Sequence, residues 1–395
     1  MQEEHEEEQT DEQIKELPDQ AALRAQLVQR LRAVGTLQDE AVARALATVP
    51  RHLFLPGVPL AQAYADTAIP THWKDHVAIS SASQPAIVAI MLQQLNVAPG
   101  MRVLEIGAGT GYNAALLAEL VGPSGSVTTL DIDDTIVAEA TGHLAAAGYP
   151  QVRAIATDGA AGWPAGAPYD RIILTVGASD ITPAWFEQLR EDGLLVLPLW
   201  LGGVELSVAF RKRESALVSE SQTPCGFMRL RGEEAGAEQW VALPKGRQLF
   251  AEQAAGLAAP VSHLLATRPR LRFWLRPQPS FFQHLNLRGH RLVAIYSVRK
   301  PKPGHRMPGR WGIYAEGADG PSLALFASAA PVLLSFGGAA AERIIEEEFV
   351  RWQQAGTPPI ERWRIIARPT TTAAAPPADD LYVARRHFTF IIETP

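Results

Sequence analysis

The stretch that decides the fold is "RVLEIGAGTGYNAALLAELVG", residues 102–122. It begins with a short apolar run, passes through three glycines, and continues into residues with helical spacing. A strand, a glycine-rich turn and a helix in this order place backbone N–H groups and the positive helix end at the carboxyl edge of a sheet. We therefore predict a ligand-binding turn whose candidate residues are Gly107, Gly109 and Gly111.

The strand and helix alternation continues on both sides of this turn. Residues 99–232 contain further short apolar strands separated by amphipathic helices, among them "SVTTLDID", "VRAIATD", "YDRIILTV" and "GLLVLPLW". Such alternation implies parallel pairing with helices on both faces. We predict an α/β fold with a doubly wound, Rossmann-like sheet over 99–232.

The flanks differ from this pattern. Residues 1–18 are an acidic block with little to bury and predict a disordered tail. Residues 19–98 predict N-terminal helices and a substrate loop, since apolar residues recur at helical spacing before Gly35 and Pro50. After residue 232 the rhythm changes, and 233–395 predict a C-terminal α+β domain.

Composition excludes several classes of protein. The chain of 395 residues has a net charge of -6, which argues against a broad nucleic-acid surface. The single cysteine, Cys225, excludes an intramolecular disulfide and a cysteine-cluster metal site, and it fits a reducing, cytoplasmic location. We see no apolar run of about 18 residues and no signal peptide, so we expect no membrane partner. The ten histidines are scattered, and no metal site is predicted.

The spacing of the glycines indicates the ligand. Dinucleotide-binding turns usually read G-x-G-x-x-G, whereas this turn reads G-x-G-x-G. Glu105 lies in the strand just before it, where a carboxylate would repel a pyrophosphate. It suits a ligand with positive charge, such as an amino group beside a sulfonium. The turn therefore favours S-adenosyl-L-methionine over NAD.

Two more acids follow consecutive strands. Asp131 ends "TTLDID", where a carboxylate can accept both ribose hydroxyls, and Asp158 ends "IATDG", where it can meet an adenine amino group. Gly159 next to it allows close approach. For each acid alone, a capping or solvated role is an equally good interpretation. Together with the glycine turn they predict one cofactor crevice.

At this point the chain resembles a known family. The elements "RHLFLP", "AYADTAIP", "SQPAIVAIML", "VLEIGAGTGYNAALLAELVG", "TDGAAGWPAGAPYDRIILTVGA" and "LVLPL" are similar, in that order, to protein-L-isoaspartate O-methyltransferases, over about residues 37–210. The resemblance implies a class I methyltransferase fold and methyl transfer from S-adenosyl-L-methionine to a carboxylate in a polypeptide. It also implies an active-site role for Ser83 and cofactor contacts at Glu105, Gly107, Asp131, Asp158 and Gly159.

The chain also departs from the repair enzymes of that family. Its segment "THWKDHVAISSASQP", residues 71–85, has no glycine and carries several serines, and a whole domain follows the sheet. With "TPCGFMRLRG" at 223–232, these features resemble a long-form branch that methylates aspartate in ribosomally made peptides, after which the ester closes to a succinimide. The C-terminal domain would then dock the peptide. The alternatives are general isoaspartyl repair and a non-catalytic, peptide-binding relative.

The chemistry needs few catalytic groups. A carboxylate is ionised near neutrality, so no general base is required. Ser81 and Ser83 can orient it by hydrogen bonds, Ser80 and Ser83 are also candidate cofactor contacts, and Thr175 ends the fourth strand at the catalytic edge. The alternatives are a helix N-cap for Ser83 and a local backbone bond for Thr175. We expect Glu105→Ala to weaken cofactor binding and Ser83→Ala to slow transfer.

Overall fold

The computed structural model of the protein describes residues 20–74, 77–236, 238–252, 254–275, 277–297, 309–328, 330–371 and 381–394. The acidic segment predicted to be a disordered tail lies outside these residues. No helix within the described ranges is long and apolar enough to cross a bilayer.

The N-terminal region consists of helices and one hairpin. Its elements are α1 (Gln20–Ala33), α2 (Glu40–Thr48), α3 (Leu60–Ala63), β1 (Ile69–Lys74), β2 (Val77–Ala82) and α4 (Pro85–Leu95). The α2 helix begins after Asp39, whose side chain accepts a hydrogen bond from the Val42 amide. Among the described residues, the β1 and β2 strands pair with each other alone, in antiparallel orientation, with register shifts between Pro70 and Trp73. The predicted substrate loop is therefore largely a hairpin.

The predicted alternation of strands and helices is confirmed. The elements are β3 (Arg102–Ile106), α5 (Tyr112–Val121), β4 (Ser126–Asp131), α6 (Asp134–Ala146), β5 (Arg153–Ala156), β6 (Tyr169–Leu174), α7 (Pro183–Gln188), β7 (Leu189–Trp200), β8 (Glu205–Arg213) and β9 (Ala216–Pro224). Five strands are parallel in the order β5–β4–β3–β6–β7. The β8 and β9 strands are antiparallel because short turns, and no crossover helix, precede them.

Helices cover both faces of this sheet. One core joins α2, α4 and α5 to sheet residues such as Val103 and Ile173. The other contains Leu104 and Ile172 with Trp185 of α7. The chain leaves β3 toward β4 and β5, and later returns to place β6 on the opposite side of β3. This reversal opens a crevice at the carboxyl ends of the strands, where ligands of such folds bind.

A second sheet follows along the chain. Its elements are β10 (Glu238–Leu243), β11 (Arg247–Glu252), α8 (Ala254–Ala266), β12 (Arg270–Phe273), α9 (Pro279–Leu287), β13 (Arg291–Ser297), β14 (Arg310–Gly317), β15 (Gly320–Phe326), β16 (Val332–Gly337) and α10 (Ala340–Gln354). The strand order is β10–β11–β13–β14–β15–β16–β12. The α8 helix shares one core with this sheet, while α9 and α10 share another.

The last three strands return to the first sheet. They are β17 (Arg364–Pro369), β18 (Leu381–Ala384) and β19 (Phe388–Glu393), and β17 pairs with β9. The sequence-based division assigned all of 233–395 to one C-terminal domain, but the strands β17, β18 and β19 extend the first sheet to ten strands. Phe388 and Phe390 are buried in the core that also contains Trp185. Pairing with β9 covers an edge that would otherwise stay open, which explains the return.

Candidate active site

The crevice at the carboxyl ends of β3, β4 and β6 encloses about 570 Å³. The glycine turn after β3 and the end of β4 form one side of it. The residues Ser80–Gln84, from β2 to the start of α4, face this side, and the segment Pro224–Arg231 after β9 completes the wall. Elements from distant parts of the chain therefore meet in one cavity.

The glycine turn is locked to its neighbours. The Gly107 and Ala108 amides both donate to the Leu130 carbonyl, at 2.8 and 2.9 Å. Gly107 has φ +103°, and a Cβ atom there would lie 2.6 Å from Thr175 Oγ1. Only glycine fits this backbone conformation and spacing. The turn thus presents bare backbone to the crevice, as the sequence predicted.

Asp131 lies at the end of β4 and borders the crevice. Its Oδ2 accepts a hydrogen bond from the Gly109 amide at 3.2 Å, and its Oδ1 lies 3.3 Å from the Asp133 amide nitrogen and 3.5 Å from Arg231 Nη2. Burial raises the pKa of this carboxyl, and the backbone donors and Arg231 oppose that rise. A carboxylate has about four acceptor positions, so it can still accept from a ligand hydroxyl.

Glu105 lies beneath the glycine turn and outside the crevice wall. It is fully buried, and it accepts hydrogen bonds from Asn113 Nδ2 at 2.7 Å and Thr129 Oγ1 at 2.6 Å. Burial raises the pKa of its carboxyl to about 7. The sequence placed this carboxylate against a positively charged ligand; the structure instead puts Asn113 in the crevice wall and Glu105 behind it. Glu105 therefore fixes the orientation of the Asn113 side chain in the crevice wall.

This burial predicts an unusual pH dependence of stability. Because burial raises the folded-state pKa of Glu105 above its ordinary value of 4.5, the folded protein holds the proton more tightly than the unfolded chain. The stabilisation is fully present below 4.5 and is lost as the pH rises through about 7. Glu105→Gln keeps a neutral group there, so its free energy of unfolding relative to wild type should increase by about 2 kcal/mol from about pH 5.5 to 8.5. Urea unfolding at both pH values measures this; a pH-independent difference would contradict it.

Asp158 and Gly159 follow β5, and the structure separates their environments. Asp158 accepts from the Ala160 amide through Oδ1 and from the Glu233 amide through Oδ2, both at 2.9 Å. It therefore caps the short turn after β5, directly before Gly159. Gly159 lines the crevice, and a Cβ atom there would collide with Ile106. The close approach predicted for this glycine is thus required by the strand beside it.

The three serines line the crevice opposite the glycine turn. Gln84 occupies the N-cap position of α4, but its side chain makes no capping hydrogen bond. The Ala86 amide instead donates to Asp66 Oδ1 at 2.8 Å, so the side chain that caps this helix is that of Asp66 and not that of Ser83. Arg51, fully buried, donates from Nη2 to the Ser83 carbonyl at 3.0 Å and so fixes the backbone there. The Ser80, Ser81 and Ser83 site roles stay predictions, and their position is compatible with them.

Thr175 lies at the end of β6 and lines the crevice. Its hydroxyl donates to the Gly107 carbonyl at 2.6 Å. This is the local backbone bond that the sequence left open as the alternative to a catalytic role. Thr175 therefore holds the glycine turn in place.

The segment Pro224–Arg231 contains residues to which the sequence assigned no role. The buried Glu205 accepts from the Phe227 amide and from Arg229 Nη1, both at 2.7 Å. The Arg229 guanidinium lies 4.6 Å from the ring centre of Trp200. The sequence held one signal for this contact, a glutamate in the apolar strand "VELSVAF". A charged residue in a buried strand needs a partner, which here is Arg229.

Comparison with known proteins gives consistent similarities. The model of the family described as Protein-L-isoaspartate(D-aspartate) O-methyltransferase matches residues 22–235. A Protein-L-isoaspartate O-methyltransferase of Methanococcoides burtonii is 42% identical over 173 residues, which cover 44% of this chain and 82% of that protein. Its namesake of Methanopyrus kandleri is 37% identical over 213 residues, 53% of this chain and 92% of that protein. A solved structure named protein-L-isoaspartate O-methyltransferase shares the fold, with a TM-score of 0.53 and 24% identity, over 87% of this chain and 96% of the other.

Proposed function

Because the chain belongs to the protein-L-isoaspartate O-methyltransferase family, we propose that it methylates an aspartate side chain in a ribosomally made precursor peptide. At the coarser level it is an S-adenosyl-L-methionine-dependent carboxyl O-methyltransferase with a polypeptide substrate. The ester then closes to a succinimide. With one cysteine in the chain, we place this activity in the reducing cytoplasm.

The crevice fits the cofactor of this family. At Gly109 a Cβ atom would point across the crevice toward the Ser81 carbonyl and the Ser80 hydroxyl, at 3.6 and 3.8 Å, so the absence of a side chain there leaves that space open to a ligand. We assign the turn Gly107–Gly111 to the methionine part, Asp131 to the ribose hydroxyls, and the Asp158–Gly159 corner to the adenine. When bound, S-adenosyl-L-methionine supplies an activated methyl group on a sulfonium.

The protein's own groups have to orient the substrate and exclude water. An aspartyl carboxylate, with a pKa near 4, is already ionised, so no proton has to be removed first. Hydrogen bonds from the Ser81 and Ser83 hydroxyls can fix its direction while leaving its charge in place. Holding the reacting atoms about 3 Å apart and in line accounts for much of such a rate enhancement.

The observation that supports the precursor-peptide substrate is the paired hairpin beside the crevice, which carries Ser80 and Ser81 on β2. Pro70 pairs with Ser81 in its register, and His72 Nε2 lies 3.0 Å from Glu139 Oε2 on α6. The serine hydroxyls are therefore held at fixed spacing, which suits one recurring peptide better than many damaged proteins. The second domain alone does not separate the two substrate classes, since the solved relative shares the fold over 87% of this chain.

Succinimide formation follows from ordinary ester chemistry. The backbone nitrogen of the residue after the methylated aspartate attacks the ester carbonyl carbon. A C–N bond forms, the bond to the methoxy oxygen breaks, and methanol leaves with the proton from that nitrogen. The five-membered ring needs no further oxidant or co-reactant.

The test offers the enzyme two peptides with S-adenosyl-L-methionine and follows their masses. One contains isoaspartate, and the other has the same sequence with an unmodified aspartate at that position, as in a precursor peptide. We expect the precursor to gain a methyl group and then lose methanol. Methylation of the isoaspartyl peptide alone would establish repair and overturn the proposal. Cofactor binding without transfer to either peptide would indicate the peptide-binding alternative.

Ser83→Ala should slow methyl transfer and leave cofactor binding intact. Loss of one hydrogen bond to a charged group costs about 1.5–3 kcal/mol, which predicts a fall in kcat of roughly 10- to 100-fold. Single-turnover kinetics and calorimetry with S-adenosylhomocysteine measure the two effects separately. Ser124→Ala, in the exposed loop before β4, is the control and should match wild type. A Ser83→Ala variant with unchanged kcat would remove Ser83 from the site.

A further inference from the structure

A short segment, Arg231–Glu233, passes over Asp131 at the end of β4 and Asp158 just after β5. Arg231 Nη2 lies 3.5 Å from Asp131 Oδ1, and Arg231 Nη1 lies 4.0 Å from Asp133 Oδ2. The Glu233 amide donates to Asp158 Oδ2 at 2.9 Å. We call these three residues the clamp. It contacts the two carboxylates that the proposed function assigns to the adenosine.

Gly232 permits this close passage. Its φ is +100°, and a Cβ atom there would collide with Asp158 Oδ2. A side chain at this position would therefore strain the backbone and displace either the clamp or the Asp158 carboxylate. The clamp and Asp158 have to be positioned together.

The clamp is in turn fixed by the far end of the chain. Glu234 Oε1 lies 2.9 Å from His387 Nε2 and 3.3 Å from Arg386 Nη1, in the turn between β18 and β19. We call the residues Arg385–Phe388 the C-terminal turn. Both His387 and Glu234 are about one-fifth exposed, so their interaction is only partly screened by water.

The C-terminal turn is itself anchored near the crevice. Asp180, in the loop that follows β6, accepts from the His387 amide at 2.7 Å and from the Phe388 amide at 3.2 Å. The Phe388 ring packs on Phe186 of α7, with ring centres 5.7 Å apart. These contacts give the turn a fixed position from which His387 can hold Glu234.

We propose that His387 and Glu234 are positioning residues for cofactor binding: the C-terminal turn sets the clamp over Asp131 and Asp158 and so fixes the adenosine side of the crevice. This inference rests on the proposed function, because it takes these two acids as the adenosine contacts. His387 lies outside residues 22–235, the part that matches the family model. The strands β17–β19 would thereby contribute to the cofactor site without touching the cofactor.

The test measures the affinity for S-adenosylhomocysteine by calorimetry in the full chain, together with amide hydrogen exchange at 226–234. His387→Ala removes the side-chain contact with Glu234 but keeps the backbone donor to Asp180, and Glu234→Ala removes the other partner. We expect each to weaken binding by roughly 5-fold and to speed exchange in the clamp. The double variant should be no weaker than either single one, and Glu234→Gln, which can still accept from His387, should retain most of the affinity.

Gly232→Ala tests the clamp directly and should weaken binding by at least about 30-fold. Its control is Gly246→Ala, which has φ +63° but nothing within 4 Å of the added Cβ atom. The control for loss of the His387–Glu234 contact is Arg364→Ala. This variant breaks an exposed ion pair between Arg364 on β17 and Glu393 on β19. Both controls should bind like wild type.

The outcomes separate the two proposals. Normal binding in His387→Ala and Glu234→Ala, together with lost binding in Asp131→Asn and Asp158→Asn, would overturn the positioning role and leave the proposed function intact. Normal binding in Asp131→Asn and Asp158→Asn would instead refute the adenosine assignment. An equal loss in Arg364→Ala would show a general loosening of the sheet and would also overturn the positioning role.

Discussion

Gly107→Ala should reduce affinity for S-adenosylhomocysteine by at least about 100-fold. At φ +103° an added Cβ atom would lie 2.6 Å from Thr175 Oγ1 and 3.0 Å from Val176 Cγ1. The Thr175 hydroxyl would have to abandon the Gly107 carbonyl, and the turn would move into the crevice. The backbone conformation itself costs about 1–2 kcal/mol more for alanine. Calorimetry and denaturant unfolding separate the binding loss from the stability loss.

Two further variants distinguish collision from backbone strain. Gly148→Ala has a similar φ of +90° but places its Cβ atom within 4 Å of nothing. It should lose stability and keep its affinity for the cofactor product. Gly107→Ala combined with Thr175→Ala removes the colliding hydroxyl and should recover part of the binding. No recovery, or an equal binding loss in Gly148→Ala, would refute the proposed packing of the turn.

Asp131→Asn should weaken S-adenosylhomocysteine binding by about 100-fold, because hydrogen bonds to a charged acceptor are worth about 1.5–3 kcal/mol each. The amide that replaces one oxygen also meets a donor, either the Gly109 amide or the Arg231 guanidinium. The variant therefore loses acceptor capacity on the side facing the ligand and gains a donor conflict. Isothermal titration at fixed salt concentration gives the affinity directly.

Asp134→Asn is the matched control for this charge. Asp134 lies three residues further on, exposed in the first turn of α6. The substitution removes the same charge at an exposed position, so we expect a change in affinity below about 2-fold. If both variants bind alike, the ribose assignment to Asp131 is wrong and the effect is one of net charge.

The strands, the glycine turn and the sheet edge at which a ligand binds could all be predicted from the sequence. The order of β3, three glycines and α5 is local, as is Asp131 at the end of β4, and local turn chemistry and periodicity can be recognised from a few neighbouring residues. Parallel pairing then brings the strand ends together without further information. For this reason the fold class and the location of the crevice were predicted.

Side-chain direction was less accessible. Glu105 and Asp131 are both acids of adjacent strands, but one is sealed beneath the turn by Asn113 and Thr129 while the other borders the crevice. The face that a strand residue occupies depends on which helix covers it, and this is a property of packing. The alternative interpretation of Ser83 as the N-cap of α4 was likewise wrong, since Asp66 reaches the start of this helix from a separate loop.

What the sequence by itself determined is a parallel sheet with a glycine turn and strand-end acids, because each of those features is encoded within a short stretch. Only the tertiary structure decided which groups meet across the crevice: Arg231 with Asp131, Glu233 with Asp158, and His387 with Glu234. It also decided that β17–β19 complete the first sheet. These partners are far apart along the chain, and a contact between such residues leaves no periodicity or turn signal from which it could be predicted.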